Sequence, residues 1–101
     1  MTRELTEILL QIRDKITDES DLDWTSFTTA EELRKEIDHF IFQLDEGNKG
    51  VLDDVYVHFL PSSTFQEHAM QNDWTEEYMK LAERFDKIYA SLRVDDLNPE
   101  P

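Results

Sequence analysis

Apolar residues recur at three- and four-residue intervals through most of this chain, and that periodicity leaves little choice of fold. Leu5, Ile8, Leu9, Ile12 and Ile16 fall on one side of a helix, as do Leu33, Ile37, Phe40, Ile41 and Leu44. The longest stripe is Tyr78, Leu81, Ala82, Phe85, Ile88, Tyr89 and Leu92, with Trp74 projecting onto the same face. A helix that is apolar along one stripe must bury it against another element. The expectation is an all-α chain, a compact bundle of four to five short amphipathic helices.

End signals sharpen the boundaries and predict helices over 2–17, 29–45, 51–60, 63–71 and 73–92. Thr28 and Thr29 each stand three residues before a glutamate, Glu31 and Glu32, a spacing that lets side chains satisfy the free amides of a helix start. Ser63 with Gln66 and Asp73 with Glu76 repeat the pattern. Gly47 and Gly50, the only two glycines, stop the second helix. Residues 55–60 are also β-branched and aromatic, so an α+β chain with a short strand there is the alternative. Helix is preferred, because no second convincing strand exists to pair with it. At 101 residues the chain is the size of one domain. Residues 1–93 are read as a single helical domain and 94–101 as a flexible acidic tail.

Acids outnumber bases by 24 to 10, a net charge of −14, and the excess runs through both halves. Phosphates are held by clustered Lys and Arg, so this balance argues against nucleic acid as a partner and against anionic membrane surfaces. It favours cations and basic proteins. With no cysteine there is no disulfide, thiolate nucleophile or cysteine-held metal. The first residues lack the basic start and apolar run of a signal peptide, and no stretch approaches a membrane span. A cytoplasmic setting is the default expectation.

Chemistry-bearing patterns are incomplete. Asp21, Asp23, Thr25, Thr29 and Glu32 fall at positions 1, 3, 5, 9 and 12 of a calcium-loop window, but Ser26 stands where the sharp turn needs glycine. Thr28 stands where an apolar residue belongs, and a second window from Asp45 has the glycine but lacks the ligands. Glu36 and His39 have the Glu-x-x-His spacing of di-iron bundles, though a second such pair is missing. Asp54 and His58, four apart, could form an acid–base pair with no third partner placed by sequence. Ser62, Ser63, His39, His58 and His68 supply residue types for nucleophilic catalysis without a diagnostic context. No catalytic residue and no cofactor is assigned.

Leu10, Phe42 and Met79 break the pattern, lying roughly 120–160° from the apolar centres of their helices. Burial under the 18–28 connection or a neighbouring helix is the simplest expectation, and an apolar anchor ringed by acids is the other. The function expected is an acidic protein-interaction module, of the inhibitor or immunity type, that binds another protein with a basic surface. Asp18, Glu19, Asp21, Asp23 and Phe42 are its candidate contacts. A calcium-binding helical protein and a non-catalytic structural subunit, including one of a homo-oligomer, are the alternatives.

Overall fold

The computed structural model describes residues 2–23, 25, 27–61 and 63–97, with side chains from Arg3 to Leu92. Expectations that fall on Trp24, Ser26, Ser62 and residues 98–101 lie outside the described residues.

Five helices follow one another: α1 (Thr2–Lys15), α2 (Ala30–Asp45), α3 (Val51–His58), α4 (Thr64–Gln71) and α5 (Thr75–Leu97). The chain is all-α, and among the described residues there is no strand. Residues 55–60 therefore resolve as the end of α3 and the turn after it. Val55 and Phe59, one helical turn apart, both point into the core.

Each helix packs on the next in a ring, α1 on α2, α2 on α3, α3 on α4, α4 on α5, and α5 back on α1. The stripes read from the sequence face the middle of this ring. Leu5, Ile8, Leu9 and Ile12 are at most 1% exposed, and Leu33, Ile37 and Phe85 are fully buried. An aromatic stack fills the side where α3, α4 and α5 meet. The Phe59 and Phe85 rings lie 4.1 Å apart and nearly parallel, and Phe65 meets Phe59 edge-on at 5.0 Å.

The end signals hold in part. Thr29 caps α2, its hydroxyl accepting from the Glu32 amide at 3.2 Å, while the Glu32 carboxylate accepts from the Thr28 amide at 3.4 Å. At the other end Gly47 takes φ +80°, and the Gly47 and Asn48 amides close back on the Leu44 and Gln43 carbonyls. A Cβ on Gly47 meets nothing within 4 Å. Gly47→Ala is thus expected to cost only the strain of the left-handed backbone, about 1–2 kcal/mol, measured as a shift in urea midpoint with unchanged slope.

Two caps differ from expectation. Ser63 precedes α4, but its hydroxyl makes no capping bond. Asp73 does not cap α5. It is the left-handed residue that ends α4, with φ +63°, and the following Trp74 amide closes on the Ala69 carbonyl at 3.0 Å. With so few residues between the two helices, the stop of α4 claims the position that the start of α5 was expected to use. Helix α5 also runs on to Leu97, past residue 93.

Leu10, Phe42 and Met79 are not covered. They are 45%, 58% and 55% exposed. A ring of helices one layer thick leaves its outer faces bare, and the α1–α2 connection is fastened to Arg34 near the start of α2 and to Asn72 after α4, away from these three side chains.

Candidate functional site

The α1–α2 connection is ordered by its own polar side chains. The Ser20 hydroxyl accepts from the Thr17 amide, and the Asp21 carboxylate accepts from the Asp23 amide. The Thr25 hydroxyl accepts from the Phe27 amide and donates to the Leu22 carbonyl. Such local bonds are what Ser, Thr and Asp offer in place of helix or strand pairing. Leu22 then drops into the core, 8% exposed.

Two longer clamps fix the loop to the bundle. Arg34, on α2, donates to the Ile16 carbonyl at 3.1 Å and to the Asp18 carboxylate at 2.7 Å. Asn72, at the end of α4, accepts from the Asp21 amide and donates to the Asp21 carbonyl, both at 2.9 Å. The same Asn72 amide group also reaches the His68 carbonyl at 2.8 Å. Asp18, Glu19, Asp21 and Asp23 are left facing outward. Asp18, Asp21, Asp23 and Glu31 border a concavity of about 740 Å³, and among the described residues its lining contains no Lys, Arg or His.

The fifth candidate contact, Phe42, is not brought to this concavity. It lies twelve residues along α2 from Ala30, roughly 18 Å by helical rise. Nor do the calcium-window residues converge. Oxygens of Asp21, Thr25, Thr29 and Glu32 accept turn and cap bonds, and among the described residues no group of three or more His, Asp or Glu side chains could hold a metal ion.

The structure assembles one group that spacing alone did not show. Glu36 turns toward His58 on α3, with Oε2 and Nε2 3.8 Å apart, while His39 stays exposed. The other His58 ring nitrogen, Nδ1, lies 2.8 Å from the Thr64 hydroxyl. Carboxylate, imidazole and hydroxyl thus stand in line. Phe27, Phe40 and Phe65 surround the imidazole with centroids 5.4–6.0 Å away. Burial lowers the His58 pKa, opposed by the charges of Glu36 and Asp54. Thr64 is only 8% exposed. A hydroxyl so enclosed is suited to holding the α3–α4 turn together, since an attacking oxygen must reach a substrate carbonyl.

His68 is the most deeply buried polar residue, with no exposed surface. Its Nδ1 accepts from the Trp74 indole N–H at 2.9 Å, which assigns the ring hydrogen to Nε2. Nε2 has no partner. A signal for this placement was present, because Phe65, His68 and Ala69 share the i, i+3, i+4 spacing of a buried face.

No helix among the described residues is long and apolar enough to cross a membrane. No protein-family profile matches the chain, and no curated protein or solved structure matches it either.

Proposed function

We propose that this chain is an acidic interaction module that binds a partner protein through a basic surface and masks it, as an inhibitor or immunity protein does. The supporting observation is the loop at residues 17–31, where Asp18, Asp21, Asp23 and Glu31 border one concavity; Asp18 pairs with Arg34 and Glu31 with Lys35, which leaves Asp21 and Asp23 as the carboxylates a partner's cations would meet. Because the clamps from Arg34 and Asn72 already fix this loop, association loses little further conformational entropy there. The net charge of −14 speeds encounter with a basic partner. The reading is non-catalytic and needs no cofactor, and a reducing, cytoplasmic setting suits a cysteine-free chain.

The test uses two baits, the wild type and a variant carrying Asp18→Asn, Glu19→Gln, Asp21→Asn and Asp23→Asn. The amides keep the turn-forming oxygens and remove the charge. A basic protein is expected to be retained near-stoichiometrically by the wild type at low salt. It should be lost from the variant, and released at about 1 M NaCl, where the Debye length is about 3 Å. Retention indifferent to both the salt and the four substitutions would sink the reading.

A further inference from the structure

The α1–α2 hairpin has an outer seam whose order can be read from its cross-links. Arg34 meets Asp18 and the Ile16 carbonyl, and one turn along α2 Asp38 takes both Nε and Nη2 of Arg13, at 2.7 and 3.2 Å. The helices run antiparallel, so the next turn beyond this pair is Phe42 on α2 and Leu10 on α1. These are two of the three exposed apolar residues that break the stripes of their helices, at 58% and 45% exposure; the third, Met79, lies on α5.

Their surroundings are one-sided. The side chains within one helical turn include the carboxylates of Glu7, Asp14, Asp38, Asp45 and Glu46. Asp38 is paired with Arg13, which leaves the four carboxylates of Glu7, Asp14, Asp45 and Glu46 beyond that ion pair. The occupant that complements an apolar pair ringed by negative charge has apolar residues at its centre and cations at its edges. A second copy of this chain brings the same carboxylates and is repelled. An added strand needs a sheet edge, and the described residues offer none.

We infer that this seam seats a basic amphipathic helix of the partner protein, with its apolar stripe on Leu10 and Phe42. Its cations face the flanking carboxylates and extend toward Asp18 and Glu19. From Arg34 to Phe42 the seam covers about 12 Å, so two to three turns of the incoming helix span it. This inference rests on the reading of the chain as a binder of basic proteins, and adds where the partner lies and in what conformation.

The full chain, labelled with nitrogen-15, is titrated with two synthetic peptides of identical Lys, Leu and Ala composition. One has Leu at helical spacing and the other is scrambled. The patterned peptide is expected to bind about tenfold more tightly, to shift the amides around Leu10, Arg13 and Phe42, and to lose that advantage on a Leu10→Ser, Phe42→Ser chain. Both positions are exposed, so circular dichroism should report unchanged helix in that variant.

Equal, salt-sensitive binding of both peptides, unaffected by the two substitutions, removes the seam while leaving the basic-partner reading in place. Failure of both peptides to bind even at low salt counts against both. A wild-type dimer in sedimentation that the double variant abolishes assigns the seam to a second copy and overturns the inference.

Discussion

Phe85→Ala is expected to destabilise the protein by about 3–5 kcal/mol, the largest effect of any single substitution considered. Phe85 is fully buried, and its ring lies between those of Phe59 at 4.1 Å and Tyr89 at 5.6 Å. Truncation removes the stack and leaves a hole among rigid rings that cannot collapse into it. Domains of this size are stable by about 5–15 kcal/mol, so the variant should be partly unfolded at physiological temperature. Urea denaturation followed by far-UV circular dichroism measures the loss. Phe42→Ala, at an exposed position, should change stability by no more than about 0.5 kcal/mol in the same assay. A Phe85→Ala loss below about 1 kcal/mol would contradict the packing described for the α3–α4–α5 side.

Acid should destabilise the fold through His68. Burial depresses its pKa from 6.5 to about 4, with the charge of Asp21 opposing. Between those values the unfolded chain binds a proton at this site that the folded chain refuses, so stability falls as pH drops from about 6.5 and the loss is complete just below about 4. The difference of about 2.5 pKa units corresponds to roughly 3 kcal/mol. His58, whose pKa is also lowered by burial, adds in the same direction.

Discharging surface carboxylates relieves their mutual repulsion and acts oppositely, so the informative quantity is a comparison. His68→Gln keeps an acceptor for the Trp74 indole and has no proton to take up. Its stability should be flatter than the wild type's from pH 7 to pH 4, by about 3 kcal/mol over that span. Parallel curves for the two proteins would mean that His68 is not the buried neutral imidazole described.

The helices were legible because their signal is redundant. Ile8, Ile12, Leu33, Ile37, Phe85 and Leu92 each repeat the information of their neighbours, and all are buried. Caps carry no such redundancy. The Thr29–Glu32 pair bonds as its spacing implies, whereas Asp73 was claimed by the end of the preceding helix. Which of two adjacent helices a short linker serves is decided by tertiary geometry that local spacing does not encode.

The candidate site divides in the same way. That Asp18, Glu19, Asp21 and Asp23 lie on an ordered surface loop could be read from charge and interleaved apolar residues. That the loop is held by Asn72 could not, since that bond joins residues 51 positions apart. Glu36 was paired by spacing with His39, yet it faces His58 from a different helix. Phe42 stood out for breaking a pattern, but only the antiparallel register of α1 and α2 shows that Leu10 accompanies it.

The grip of Asn72 on Asp21 has a consequence for the order in which the molecule acquires its surface. As the chain is synthesised, the acidic segment leaves the ribosome before Asn72, one of the two residues that clamp it. A nascent or truncated chain ending before α4 carries every carboxylate of the loop and the Arg34 clamp, but lacks the Asn72 clamp on Asp21. The part of the loop's shape that Asn72 sets, at Asp21, is therefore acquired only once α4 has formed.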